Sequence, residues 1–432
     1  MSLSVVIPHY RQLRCLDLTL GALADRSPDP GPFEVLVVDD DSGDGVAPVV
    51  ARHRDRLPVR LLRQPVNRGR AAARNRGAAE ASGERLLFLD ADSLADPALL
   101  AAHARFHRTH PDKVLLGARR EGDWGAAAGA PAVRAGEGRG PAYGQDMRYR
   151  TGLDPAAFDR HPVPWIFGYS HNMSVPADAF RACGGFDEAF AGWGHEDLEL
   201  SYRLFTAAGR APGHFRFDPD ALCHHLPHFR RERDNWAQAE RMLPYITEKH
   251  RGLETEFVEE GPLSVCDTLP VYLRRLRLLH AAVPGAARDE ALAALPAPLA
   301  PGRLVVGAGL AKRSWEPAEG GPVELIDHRP PESGEAPGLV GIHLPYPDHR
   351  FADLVNLDLW RVLTPEHLSR LILEGLRVAR AVYLCHTKSV PGAAAAGLAG
   401  DPEYVCDLLA ACCDARVVHD GERAAVIRAK RR

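Results

Sequence analysis

The chain has 432 residues, enough for two or three domains that each bury a core of their own. A formal net charge of −4 excludes the basic footprint of a nucleic-acid-binding protein. No apolar run is long enough to cross a bilayer, and eight scattered cysteines without a CxxC pair indicate neither a zinc site nor a disulfide framework.

The N-terminus MSLSVVIPHY lacks a basic n-region followed by an apolar h-region, so no signal peptide is expected. Free thiols then suit a reducing cytoplasm. Ser4–Ile7 reads as a strand stopped by Pro8, and Arg11–Ala24 as a helix with Leu13, Leu16, Leu20 and Leu23 on one side. Phe33–Val38 is a second strand that runs into Asp39-Asp40-Asp41-Ser42. Val59–Leu62 is a third, followed by a loop with Asn67 and Gly69 and a helix rich in Ala and Arg. Leu86–Leu89 is a fourth, ending in Asp90-Ala91-Asp92. Its continuous apolar character is that of a strand buried on both faces of a parallel sheet. Asp96, followed by Pro97, is the better cap for the next helix, which leaves Asp90 and Asp92 without a structural task. Two carboxylates beyond a strand end can hold a hard divalent cation.

Strands alternating with helices at this rhythm imply βαβ units and a parallel sheet. Its strand ends then bring Pro8, Tyr10, Asp39, Asp40, Asn67, Asp90, Ala91 and Asp92 to one edge, where open α/β sheets collect their ligands. The pieces VVIPHY, VLVVDDDS, NRGRAAARNRGAAEASG and RLLFLDAD, in this order, resemble the nucleotide-sugar half of the GT-A glycosyltransferases of family 2. That resemblance implies two abutting Rossmann-like halves with a mostly parallel α/β sheet. It implies that Asp40, with Asp39 beside it, accepts from the uracil N–H and that Tyr10 lies against the base. It also implies that Asp92, with Asp90, belongs to the metal and ribose site. Arg74 is explained equally by a contact to the diphosphate and by an exposed helix face.

Residues 118–152 read as a long Gly- and Ala-rich surface loop, with Trp124 as a sugar platform or a loop anchor. Pro164–Val175 reads as a strand under the acceptor site, with a helix from Pro176 through Phe180. Asp197 onward has helical spacing, with Leu198, Tyr202 and Phe205 able to face a core; the dipole alone would favour acidic residues in its first turn. GGFDEAF followed by GWGHEDLEL resembles the acceptor half of the same fold in the β-1,4-galactosyltransferases and the bacterial chondroitin-type polymerases. It implies that Trp193 and Gly194 line the acceptor, that Asp197 is the base and that Glu196 orients acceptor or sugar. A related WGxEN occurs in retaining polypeptide N-acetylgalactosaminyltransferases, so the Asp at 197 favours inversion.

Downstream, Cys223-His224-His225-Leu226-Pro227-His228 offers clustered imidazoles. The galactosyltransferase spacing points to His225 and His228, with His224 as the alternative, and a carboxylate plus imidazoles suits Mn²⁺ or Mg²⁺. Arg230, Arg231 and Arg233 either close over phosphate or decorate a helix.

The stretch from Asn235 to Leu295 is helical in pattern, as an extension or a homodimer-forming face, and LPAPLAP at 295–301 is a stiff linker. The expected domains are therefore 1–234, a helical extension with its linker at 235–300, and 301–432. The last has strands at Arg303–Val306, Val323–Ile326, Phe351–Leu357, Ala381–Cys385, Ala415–His419 and Ala424–Arg428. With LPYPD and FADLV it resembles a class I S-adenosylmethionine methyltransferase whose Gly307-Ala308-Gly309 turn departs from the pattern; Asp327 would face a ribose. It reads as a Rossmann-like, degenerate docking module. The chain as a whole is expected to be a metal-dependent, inverting hexosyltransferase taking a UDP-sugar to an acceptor hydroxyl. The alternatives are a bifunctional glycosyltransferase and methyltransferase, or a nucleotide-sugar-binding pseudoenzyme.

Overall fold

The computed structural model describes residues 2–121, 146–227, 232–283, 285–295, 302–308, 323–328 and 338–432. The chain divides into two compact units, Met1–Met242 and Leu243–Arg432. Trp124, His228, Arg230, Arg231, the glycine turn from Gly309 on and most of the proline-rich linker lie outside the described residues. Among the described residues no helix is long and apolar enough to cross a membrane.

The first unit is built on one sheet of eight strands. These are β1 (Leu3–His9), β2 (Phe33–Asp39), β3 (Val59–Arg63), β4 (Arg85–Leu89), β5 (Ser93–Ala95), β6 (Val114–Glu121), β7 (Asn172–Pro176) and β8 (Phe215–His225). They lie in the order β3-β2-β1-β4-β7-β6-β8-β5. β1 to β4 run parallel, as expected from Val5–Ile7, Leu36–Val38 and Leu86–Leu89, which are buried on both faces. β7 then pairs antiparallel with β4 and with β6, and β5 antiparallel with β8, while β6 and β8 are parallel. The sheet is therefore mixed, mostly parallel. Helices α1 (Leu13–Ala24), α2 (Val46–Arg52), α3 (Gly69–Glu80) and α4 (Leu99–Thr109) connect the early strands. Leu16, Leu20 and Leu23 of α1 pack into the core shared with β1, β2 and β4. Helices α5 (Glu196–Ala207) and α6 (Glu232–Lys249) flank β8 in the chain.

Sequence expectations are corrected at three places in this unit. Pro164–Phe167 is a buried 3₁₀ turn, and the strand begins only at Asn172. An apolar run buried on all sides has no periodicity that separates a strand from a turn. The expected loop at 118–152 begins too early, because Ala118–Glu121 completes β6. Asp96 is not the cap of the next helix: α4 begins at Leu99 with Ala98 at its N-cap and no side-chain cap, and Asp96 Oδ1 accepts from Ala98 N–H at 2.9 Å within the preceding turn.

The second unit holds helices α7 (Gly261–Ala282), α8 (Gly285–Ala293), α9 (Pro365–Val378) and α10 (Pro402–Leu409) and a sheet of its own. Strands β9 (Arg303–Ala308), β10 (Val323–His328), β11 (Asp353–Leu357), β12 (Ala381–Thr387), β13 (Asp414–Asp420) and β14 (Ala424–Lys430) lie in the order β10-β9-β11-β12-β14-β13. Four parallel strands are closed by an antiparallel hairpin whose last strand lies inside its first. Strand β11 starts two residues later than the sequence suggests, since Phe351 makes only an isolated bridge to Ala379.

Candidate functional site

Because β3, β2, β1 and β4 are adjacent and parallel, their carboxyl ends share one edge. Pro8 lies near the end of β1 and pairs with Val38. Tyr10 follows it and is 43 % exposed, with the Arg11 guanidinium 5.0 Å from its ring centre. Asp39 ends β2, Asp40 follows it directly, and both are buried. Asp39 Oδ1 accepts from Ser42 N–H at 3.0 Å and from Ser42 Oγ at 2.6 Å. Asp40 is committed further. Its Oδ1 accepts from Gln64 Nε2 at 2.7 Å and Arg68 N–H at 2.8 Å, and its Oδ2 from Gly69 N–H at 2.8 Å. Asp40 thus caps α3, and two lone pairs per oxygen leave Oδ2 one further acceptor position. Asn67 donates to the Asp40 carbonyl at 3.1 Å and shapes that turn. Gly69, at φ +86°, is required here, since a Cβ would stand 2.5 Å from the Ala191 carbonyl oxygen.

The register of β4 and β7 carries the site across the sheet. Leu89 pairs with Asn172, so His171 and Ser170 arrive beside Asp90, whose N–H donates to the His171 carbonyl at 3.4 Å. Ser170 N–H in turn donates to Asp197 Oδ2 at 3.3 Å, and Leu198 N–H to Oδ1 at 2.9 Å. The first turn of α5 is therefore anchored at the end of β4. Arg74 completes the join. It is buried in α3, donating through Nη1 to Glu196 Oε1 at 3.0 Å and through Nη2 to Asp90 Oδ1 at 2.8 Å. The exposed-face reading of Arg74 is overturned: Ala71, Ala72, Ala73 and Ala78 bury with it, and its side chain ends between two carboxylates.

The electrostatics follow from this arrangement. Burial alone would raise Asp90, but Arg74, with Arg70 and His171, holds its carboxyl well below the usual range. Asp197 goes the other way. Burial, then the neighbouring Glu196, push it up to about 7, against the pull of Arg74 and the two backbone N–H groups. Glu196 Oε2 is buried without a hydrogen-bond partner among the described residues, an acceptor that suits a ligand hydroxyl. Trp193 and Gly194 stand just before α5. Trp193 N–H donates to Gln238 Oε1 at 3.0 Å.

Asp92 and His225 converge from distant parts of the chain. Ser93 pairs with His225 between β5 and β8, and a register shift at Gly117/Ala118 sets Glu121 of β6 opposite the same histidine. His225 Nε2 lies 3.6 Å from Asp92 Oδ2, and its Nδ1 lies 2.8 Å from Glu121 Oε2. A carboxylate on one ring nitrogen orients the other toward a cation, so the donor set fits a divalent ion held by Asp92 Oδ2 and His225 Nε2. His224 alternates to the opposite side of β8 and pairs with Leu94. His228 lies outside the described residues. Ala91 is buried, its carbonyl accepting from Thr19 Oγ1 at 2.9 Å, so its backbone fixes the spacing of Asp90 and Asp92.

Sequence reasoning missed Glu121, which has no signature before the β6–β8 register is known. It also missed Asn75, whose amide holds both the N–H and the carbonyl of Phe186 at 2.8 Å and fixes the GGFDE segment. A third group, His9, Asp39 and Asp44, brings ligand atoms within 4.8 Å of one another. Hydrogen bonds account for it: Ser42 Oγ lies 2.6 Å from both Asp39 and Asp44, and His9 Nε2 lies 3.1 Å from Asp44.

Residues 4–166 match the glycosyl transferase family 2, and residues 158–223 match a family described as the N-terminal domain of galactosyltransferase. The chain is 41% identical over 220 residues to validoxylamine A glucosyltransferase of Streptomyces hygroscopicus subsp. limoneus, covering 47% of each chain. It is 25% identical over 299 residues to hyaluronan synthase of Pasteurella multocida, covering 63% of this chain and 30% of that protein. Among solved structures, TarS residues 1–349 of Staphylococcus aureus is similar at 18% identity and a TM-score of 0.42, covering 62% of this chain and 69% of that one. The chain spans about half the length of the glucosyltransferase it matches. The first unit is thus similar to the glycosyl transferase family 2 over residues 4–166 and to the galactosyltransferase family over residues 158–223.

Proposed function

We propose that the first unit is a GT-A type, metal-dependent, inverting glycosyltransferase that moves a hexose from a UDP-sugar to an acceptor hydroxyl. One observation carries the reading: Arg74 ties Asp90, at the nucleotide end of β4, to Glu196, in the turn that presents Asp197. Donor groups and acceptor groups are thereby joined through a single buried side chain. The names of the matching relatives, a glucosyltransferase and a hyaluronan synthase, support sugar transfer as the reaction.

In this reading Tyr10 lies against the uracil, and Asp39 with the remaining acceptor position of Asp40 receives its imide N–H. Asp92 and His225 would hold Mn²⁺ or Mg²⁺, with Glu121 orienting the imidazole. Such an ion, when bound, supplies Lewis-acid stabilisation of the departing diphosphate. Asp90, kept ionised by Arg74, is available to the ribose or sugar hydroxyls. Asp197 takes the acceptor proton as the hydroxyl attacks the anomeric carbon, and Glu196 Oε2 accepts from a hydroxyl of acceptor or sugar. A single displacement inverts configuration. Trp193 and Gly194 border the acceptor. A cytoplasmic location and a homodimer belong to the same reading.

Release of UDP from a UDP-hexose panel, dependent on Mn²⁺ and lost on adding a chelator, tests the proposal. No release with any donor, or full transfer by the Asp197→Asn variant, would refute it. For the second unit the proposal is a Rossmann-like docking module; heat on titration with S-adenosylmethionine would argue for methyl transfer instead.

A further inference from the structure

We infer that Trp236 and Trp193 form an aromatic corner that receives the apolar C–H face of the acceptor ring, which makes the acceptor a saccharide or another cyclic polyol. The inference rests on the glycosyl-transfer reading and narrows its acceptor. Trp236, in the second turn of α6, is 56 % exposed. Tryptophan usually buries most of its surface, so an indole this open to solvent needs a reason. Its ring is nonetheless held, edge to face against Trp193, with centroids 5.4 Å apart and planes at 74°. Two rings at that angle present two walls rather than one flat surface.

The corner is also fixed from behind. Ala239 lies three residues after Trp236 on the same face of α6, and its Cβ stands 3.0 Å from where a Cβ on Gly194 would be. Gly194, at φ +100°, lets the chain turn there. Gln238 uses its carbonyl oxygen on Trp193 N–H. The first turns of α6 therefore set the backbone of Trp193 and Gly194, and α5 with Glu196 and Asp197 follows at once. A pyranose or cyclitol offers C–H groups on its faces and hydroxyls at its rim. An aromatic wall receives the face, while the rim is left for Glu196 and Asp197. A ring pair that only stapled α6 to the turn would bury Trp236 instead of leaving half of it open.

The test is saturation-transfer NMR on the full chain with UDP and Mn²⁺, using methyl β-D-glucopyranoside and myo-inositol as probes. Saturation should pass to the ring C–H protons of at least one probe. It should fall at least about 5-fold in Trp236→Ala and be largely kept in Trp236→Phe, which retains an aromatic wall. UDP binding, followed on the same samples, should be equal in all three proteins. The inference is overturned if neither probe is saturated by the wild type, or if Trp236→Ala keeps the signal. It is overturned equally if Trp236→Phe loses as much as Trp236→Ala, because that marks a packing role. Failure of the wild type to bind UDP would instead sink the glycosyl-transfer reading itself.

Discussion

At the scale of single residues, the proposed transfer rests on Asp197. A carboxyl of ordinary acidity would be a weak base toward a hydroxyl. Burial first, and Glu196 second, raise this one to about 7, where proton acceptance is matched to neutral pH. Only the ionised form can act, so kcat/KM for the acceptor should rise with pH through about 7. Below that midpoint it should drop about tenfold per pH unit, as expected when one group must lose a proton. A profile that stays flat from about pH 5 to pH 8 would remove Asp197 from the role. Replacing it with Asn keeps the size and loses the base, so kcat should fall by ~10²–10⁴ while the donor KM changes little. UDP release assays give both numbers.

The element that organises the site is α3. Its N-terminus is capped by Asp40, its middle supplies Arg74, and the next residue, Asn75, holds the backbone of Phe186. Arg74→Met would leave Asp90 and Glu196 with only the more exposed Arg70, 3.8 Å from Glu196 Oε1, in place of their buried cation. Breaking a buried pair in this way costs about 3–5 kcal/mol, and the urea midpoint should fall accordingly. Adding Glu196→Gln removes one stranded charge, so the double variant should recover part of that loss; no recovery would mean the damage lies in packing. Asn75→Ala should cost about 1–3 kcal/mol, because it strands two backbone groups at once. Much of this neighbourhood is legible in the sequence. Val5–Ile7, Leu36–Val38 and Leu86–Leu89 announce buried strands, and the acidic residues after them fall on one edge by topology alone. The location of Arg74 is not legible, because an Ala-rich helix with Arg at intervals shows no clear buried face. Glu121 is hidden for another reason. It lies 104 residues from His225 in the chain, and only the register shift at Gly117/Ala118 sets the two opposite each other. Trp165, Ile166 and Phe167 mislead in the opposite direction, since complete burial erases the periodicity that would tell strand from turn.

At the scale of the whole molecule, the two units should respond differently to acid. In the first, burial lowers His103 to about 4, His107 to about 3 and His161 to about 4, and each stays neutral in the fold. His103 and His107 both meet Ser174 Oγ at 2.7 Å, deep between α4 and β7. An unfolded histidine takes up its proton near pH ~6.5, so their stabilisation is complete above that value and is lost as pH falls toward their folded values. Asp197 works against them, because its raised pKa contributes stability at low pH that is lost as pH rises through about 7. Burial lowers His171, His214 and His224 as well, while hydrogen bonds to Asp92 and Glu121 raise His225 against it, so between roughly pH 4.5 and 6.5 the unfolded first unit binds more protons than the folded one. The stability of the first unit should therefore rise with pH across that window. In the second unit burial lowers His386 to about 4 and raises Glu256 to about 7, one group of each kind, and their effects cancel. Glu256 accepts from Val340, Gly341, Ile342 and His343 N–H groups, yet burial still dominates its titration. Hydrogen exchange followed by mass spectrometry, corrected for intrinsic rates, reads both units in the full chain. Protection in β4 should weaken steadily on acidification while protection in β12 holds, and His103→Gln should flatten the β4 response. If β4 and β12 lost protection together, the buried imidazoles of the first unit would not be the cause.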